Sequence, residues 1–439
     1  MTVDLKPIDA KAVDLLPVDL RGIPATGFVY GVKWDTASDN MATGVVSNGV
    51  FVEQDYTDYP IQEQMHRVLR KADGSSKKYL DADDSEKLAD GSDATLDGTD
   101  GDVQVEIPRH YQLWVRDGDT QYILIGDGRF KFLGVEAWIP LCFRERSYYY
   151  HDAFEGVLYD DSEGSLVDGQ DSTAEAADKT NDACRSLPGY KPWVYENRGQ
   201  FRQLYANRGG STHQGMWDAH QMIVALFVTE YGDWDSQAKL PGYTGAGSFD
   251  YAKVRETGRT MNLGNNSGSV TVDLDGEDSD LDGLVDSDQI IANSYRGIEN
   301  IFGHIWKFLD GINIDNREGD CHVYTCTSPD DFADNVDDSA AGYVDTGHAP
   351  GFGDDDGYIV DIKGTGKHCP LYPDDISGGS SSTYLCDYHY NNSGAWRVPL
   401  VGGRLSQGGG AGLAALGASY DSGFRHSDFG SRGAAVSEN

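Results

Sequence analysis

The chain is short of basic residues: 35 Lys and Arg stand against 72 Asp and Glu in 439 residues, a formal net charge of −37. A surface that negative repels nucleic-acid phosphates and anionic lipid head groups, so neither is expected as a direct partner. Long hydrophobic runs are lacking as well. The longest, Met222 to Val228, is too short to cross a bilayer, and no membrane insertion is expected. The opening MTVDLKPIDAKAVDLLPVDL has neither a basic start nor an apolar stretch of secretory length, so synthesis in a cytoplasm without an export signal is expected. The six cysteines (Cys142, Cys184, Cys321, Cys326, Cys369, Cys386) are irregularly spaced and form no doubled CxxC, which removes the usual structural zinc site. Scattered buried thiols, or one or two late disulfides, are the simpler reading than ligation by Cys321, His322, Cys326, His368 and Cys369. There is no internal repeat and no heptad stretch to specify a coiled coil. No Ser-His-Asp set, paired-carboxylate motif or phosphate-cradling glycine loop stands out, so no catalysis is expected.

What is present is a globular composition, with 39% hydrophobic and 11% aromatic residues. The acids are spread along the whole length rather than gathered in a tail. That spread fits a surface adapted to concentrated salt, where screening cancels self-repulsion, and it also fits cation binding.

Residues 1–26 alternate apolar and acidic positions around Pro7, Pro17 and Pro24, the pattern of an extended arm that attaches to another subunit. Residues 27–145 read as a β-rich module, with short strand-like pieces broken at Asp73-Gly74, Asp90-Gly91 and Asp100-Gly101. Val103 to Ile107 alternates apolar and polar residues as a half-buried strand does, and Phe130 to Phe143 is a more apolar strand-like stretch. Two helices are predicted in residues 146–439. In Glu196 to Arg208, Phe201, Leu204 and Tyr205 share a face, with Gly209-Gly210 as the stop. Asp218 to Tyr231 ends at Gly232, which suits a left-handed C-cap. Fifty-four glycines and only these two helices indicate an α+β chain whose C-terminal part is loop-rich.

An acidic insertion near 265–290 carries the sharpest metal signal. Asp273, Asp275, Glu277, Asp278, Asp280, Asp282 and Asp286 alternate around glycine turns, which lets a short loop wrap a hard cation with oxygen ligands. A structural Ca2+ is expected there, although the twelve-residue spacing of an EF-hand is absent.

Several collinear stretches carry a family resemblance. They begin with Phe28-Val29-Tyr30-Gly31-Val32-Lys33-Trp34-Asp35, Val105-Glu106-Ile107-Pro108-Arg109-His110-Tyr111 and His151-Asp152-Ala153-Phe154. Arg185 to Gly189, Ala206 to Gly209, Leu226 to Gly232 and Tyr295 to Gly311 follow, and then Cys386-Asp387-Tyr388, Gly402-Gly403-Arg404 and Gly430 to Gly433. Together they resemble the C-type-lectin-fold tail-fibre and receptor-binding proteins of tailed viruses. Those are related to the variable proteins of diversity-generating retroelements and to formylglycine-generating enzymes. The resemblance runs over roughly 27 to 437 and makes 146–439 a C-type-lectin-like domain. With the acidity, it points to a virus of a haloarchaeal host. Taken on their own chemistry, Trp306 and Phe308 read as core, Arg296 and Glu299 as an ion pair, Glu230 as a loop cap and Asp310-Gly311 as a turn.

The resemblance implies a binding face in the closing window Arg404–Arg432, where Gln407, Tyr420, Arg425, His426, Asp428 and Phe429 are the positions expected to reach solvent. Two departures, Leu405 in place of an aromatic and a window poor in Asn and Ser, imply a fixed specificity rather than active diversification. The implied role is a virion tail-fibre or tail-tip adhesin that grips a host surface glycan or surface-layer glycoprotein. Its N-terminal arm would join other virion proteins, and a trimer is favoured because avidity strengthens weak sites. The alternatives are a capsid decoration or baseplate part without receptor contact and, less favoured, an oxidase. The oxidase needs a reactive cysteine pair, and only Cys369 and Cys386 stand late enough, outside that enzyme's cysteine motif.

Overall fold

The computed structural model describes residues 27–169, 177–272 and 290–437. Strands dominate, gathered into several small sheets, with two helices of length. Residues 1–26 and the acidic stretch Asp273–Asp286, where the arm and the calcium loop are expected, lie outside the described residues.

The first sheet has five antiparallel strands in the order Val50–Glu53, Asn40–Ser47, Val29–Asp35, Thr120–Gly126, Tyr111–Asp117. Its outer hairpin turns on Asn48-Gly49, both at positive φ (52° and 77°). This two-residue Asn-Gly connection matches the twist of paired strands. Tyr30, Val32 and Trp34 alternate inward, and Trp34 meets Trp234 edge-on at 5.7 Å.

Under that sheet runs the helix α2, Trp217–Tyr231, in which every residue from Trp217 to Thr229 is buried. A helix apolar all round belongs inside a protein, and each fully buried Leu, Ile, Val, Phe or Met contributes about 1.5–3 kcal/mol. It stops where the sequence predicts: Gly232 has φ 61° and ψ 33°, and its N–H donates to the Val228 carbonyl at 2.8 Å. The shorter helix α1, Arg198–Ala206, is opened by a capping box. Asn197 accepts from the Gln200 N–H, and the Gln200 side chain accepts from the Asn197 N–H. α1 buries Phe201, Leu204 and Tyr205 against Trp306, Phe308 and Phe429.

A six-stranded antiparallel sheet runs His213–Gln214, Gly433–Val436, Tyr148–Asp152, Asp102–Pro108, His66–Arg70, Lys77–Tyr79. It draws strands from both sides of residue 145, so hydrogen bonding and core are continuous across that point. The strand Asp102–Pro108 is buried at every position, on both faces, rather than half-buried as its alternation suggests. Its polar members are bonded inside: Gln104 donates to Asp152 at 2.8 Å, and Glu106 accepts from Tyr79 and Tyr150 at 2.7 and 2.8 Å. Alternation therefore marks here a polar network, not a solvent face.

Other expectations need correction. Phe130 to Phe143 is not one strand but a short hairpin, Lys131–Phe132 with Val135–Glu136, followed by a single 3-10 turn. Arg296 pairs with Glu230 at the end of α2 and not with Glu299, whose carboxylate accepts from the Gly258 and Thr260 N–H groups at 2.8 and 2.7 Å. The Arg296 backbone, at φ 47°, turns its side chain toward α2. All six cysteines are buried free thiols, and burial pushes the pKa of each of them up. No helix among the described residues is long and apolar enough to cross a membrane.

A second six-stranded sheet positions the closing window. Its order is Gly357–Tyr358, Tyr388–Asn391, Leu416–Ala418, Leu400–Val401, Trp306–Phe308, Phe429–Ser431. The last pair is parallel, with Trp306 opposite Phe429 and Phe308 opposite Ser431. Just beyond, the buried Arg432 donates to the carbonyls of Asp152 and Ala153 at 3.0 and 2.8 Å and to that of Glu299 at 2.5 Å. The window is thus held at its C-terminal end by the core.

An aromatic face on the closing window

Between Ala418 and Phe429 the chain leaves the sheet and returns, and its ring-bearing side chains face outward together. Tyr420 and Phe424 stack with centroids 4.3 Å apart and planes at 28°, and each is 37% exposed. The exposed His426 ring continues the series, 6.5 Å from Phe424 and nearly coplanar at 10°. The loop is shaped from within: Asp421 accepts from the Gly423 N–H at 2.9 Å, and the Tyr420 carbonyl accepts from the Val398 N–H at 3.0 Å.

Phe429 is the floor of this face and not part of it. It is 2% exposed, lies 5.0 Å from Tyr420 and 5.7 Å from Phe424, and turns edge-on to Phe308 at 5.6 Å on its other side. Its strand pairs with Trp306–Phe308, which points the ring inward, so the expectation that Phe429 reaches solvent is overturned. Asp428 is overturned likewise. At 1% exposure its carboxylate accepts from both the Arg404 guanidinium and the His426 imidazole. That hydrogen bond raises the His426 pKa above its ordinary 6.5. A buried carboxylate that accepts from two side chains is a brace: it fixes Arg404 and His426, which reach the surface.

Two arginines of the window lie on aromatic rings from distant segments. The Arg404 guanidinium sits 5.4 Å from the centroid of Phe249, and that of Arg425 5.4 Å from Tyr195. Tyr195 holds a left-handed backbone at φ 68°, a conformation costly for a non-glycine residue. Its N–H donates to the carbonyls of His426 and Phe429 at 3.2 and 3.3 Å, so the surrounding hydrogen bonds hold both the strained residue and the loop.

Of the six residues expected at the site, the structure brings Tyr420, Arg425 and His426 to one exposed face, with Asp428 and Phe429 as its buried support. Gln407 is half-buried and donates to the hydroxyl of Tyr390, which belongs to a separate group with Tyr388 and Trp306 at 4.6 and 6.0 Å. Phe424, Arg404, Tyr195 and Phe249 complete the face without having been expected there. Nothing local flags Tyr195 or Phe249, which arrive from more than 150 residues away. No group of three or more His, Cys, Asp or Glu among the described residues is placed to hold a metal ion.

No protein-family model and no curated protein matches the chain. Among solved structures, it is similar to the Major Tropism Determinant P3c variant at 10% identity, over 94% of this chain and 73% of that one, with a TM-score of 0.29. It is similar to the U1 variant of the same determinant at 10% identity, over 92% and 94%, with a TM-score of 0.27. TM-scores of this size decide neither fold nor role.

Proposed function

We propose that the chain is a virion adhesin, a tail-fibre or tail-tip protein with a C-type-lectin-like C-terminal part, that grips a host surface glycan or glycoprotein through the Tyr420–Phe424–His426 face. The observation that carries this reading is the exposed, stacked series of rings over a buried floor. Apolar rings gathered at a surface gain free energy when a partner covers them, and flat rings suit the C–H face of a sugar or another side chain. They also lose little conformational freedom on binding, because the Asp428 brace and the Tyr195 hydrogen bonds already order the loop. The collinear motifs from Phe28 to Gly433 favour a tail protein over a capsid decoration or baseplate part. In this reading residues 1–26 attach the chain to the particle, and several copies, three being favoured, multiply a weak single-site affinity.

The test is adsorption competition. Purified chain is expected to block virus from host cells, and a Tyr420→Ala/Phe424→Ala double variant with an unchanged melting curve is expected to block poorly. Equal competition by both proteins, or none by the unaltered chain, overturns the reading.

A further inference from the structure

We infer that the ligand of the Tyr420–Phe424–His426 face is an acidic glycan, a sugar bearing carboxylate or sulfate groups. This rests on the adhesin reading and adds the ligand's chemical class to it. The inference starts from where the cations are. Acids outnumber bases 72 to 35, and a number of the surface cations have a carboxylate at hand. Lys33 pairs with Glu53, Lys78 with Asp100, Lys87 with Asp93, and Arg317 with Asp315.

Arg425 is exposed and lies on the Tyr195 ring, and no carboxylate of a described residue is placed as an ion-pair partner for it. Arg404 and His426 share the single buried carboxylate of Asp428. Asp421 stands four residues before Arg425, and Asp250 follows Phe249. Both cap turns of their own, on the Gly423 and Ala252 N–H groups at 2.9 Å each. Two guanidinium groups, those of Arg404 and Arg425, thus lie in the same window as the Tyr420–Phe424–His426 series in a protein whose net charge is −37.

Rings alone would take a neutral sugar as readily as a charged one. Arg425, exposed beside Phe424 in the chain and without an ion-pair partner among the described residues, favours a ligand that brings the missing anion, since its planar fork suits carboxylate and sulfate oxygens. The global charge repels polyanions, so any retention of one must come from a local site such as this. An acidic peptide offers the charge without the pyranose face that the stack of Tyr420 and Phe424 fits, and it is the competing outcome to be separated.

The experiment measures binding of the full chain to four immobilised polymers at low salt: polygalacturonate, dextran sulfate, neutral dextran and polyglutamate. Polygalacturonate, dextran sulfate or both are expected to bind; which of them binds distinguishes carboxylate from sulfate. Neutral dextran and polyglutamate are expected to bind at least about tenfold more weakly. Arg425→Gln is expected to reduce the acidic-sugar signal about tenfold, and Phe424→Ala likewise, while both melt with the unaltered chain. Polyglutamate binding as strong as the sugars, binding to neutral dextran alone, or an acidic-sugar signal indifferent to Arg425→Gln overturns the inference. The adhesin reading fails separately. A chain that competes with virus for cells yet ignores both acidic sugars leaves it standing, whereas one that binds acidic sugars through Arg425 yet never competes with virus sinks it alone.

Discussion

Arg208 and Asp152 face each other in the interior with two guanidinium–carboxylate bonds of 2.6 and 2.8 Å, both side chains almost fully removed from solvent. Asp152 also accepts from Gln104 at 2.8 Å and from the Gly433 N–H at 3.1 Å. One carboxylate therefore ties together the end of α1, the N-terminal strand Asp102–Pro108 and the final strand of the chain. The closing window lies between that final strand and the sheet it leaves, so the brace holds the frame on which the aromatic face is mounted.

Removing one partner of a buried, hydrogen-bonded ion pair strands the other charge, which costs about 3–5 kcal/mol. Asp152→Ala, which leaves Arg208 its second buried pair with Asp102 at 2.9 Å, is expected to lower unfolding free energy by less than that in urea titration, and Arg208→Met by the full amount. A loss below about 1 kcal/mol in either would contradict the role assigned to the pair.

The aromatic face and its floor are expected to separate cleanly on mutation. Phe429→Ala empties a buried site and should cost about 3–5 kcal/mol of stability. Tyr420→Ala and Phe424→Ala remove half-exposed rings and should stay within about 1 kcal/mol, yet each should weaken competition with virus about tenfold. Denaturation and adsorption measured on the same three variants check this.

His426 provides a direct probe of the brace. Its hydrogen bond to Asp428 holds its pKa above the ordinary 6.5. In Asp428→Asn the imidazole loses that carboxylate, and its midpoint in an NMR titration is expected to move down. An unmoved midpoint would mean that Asp428 does not set the charge of the face.

Five buried histidines are expected to make the protein acid-labile. Burial, the largest cause in each, lowers His151 and His389 to about 3 and His110, His213 and His220 to about 4, from 6.5. The unfolded chain therefore takes up protons below about pH 6.5 while the folded one stays neutral. Stability is complete above 6.5 and falls as pH drops toward 4, by ~1.4 kcal/mol per pH unit for each histidine fully engaged. Urea midpoints that stay level from pH 7 to pH 5 would refute the expectation.

Asp387 has the opposite sign. Burial first, with the Asp235 charge adding to it, raises its carboxyl to about 8, and Oδ1 has no hydrogen-bond partner among the described residues. The folded state holds this proton more tightly than the unfolded state, whose value is near 3.8. The contribution is complete below that value and is lost as pH rises to 8. Between pH 6.5 and 8, where the histidines are silent, Asp387→Asn is expected to flatten the decline, measurable as a converging or reversed gap in melting temperature.

Much of the local structure is legible in the sequence. The spacing of Phe201, Leu204 and Tyr205 located α1. The apolar run before Gly232 located α2 and its end, because helix periodicity and a left-handed C-cap are properties of a few adjacent residues. The acidity that disfavours nucleic acid and lipid surfaces is likewise a sum over residues. Which window side chains face outward was decided elsewhere. Phe429 turns inward because its strand pairs with Trp306–Phe308, more than 100 residues earlier, and Asp428, whose carbonyl accepts from the Trp306 N–H, is buried beside it. Arg296 met Glu230 rather than Glu299 because α2 ends beside it. Tyr195 and Phe249 joined the face only because the fold brought them there. Periodicity acts between neighbours in the chain, whereas burial, ion pairing and ring stacking act between neighbours in space, and only the tertiary structure determines who those are.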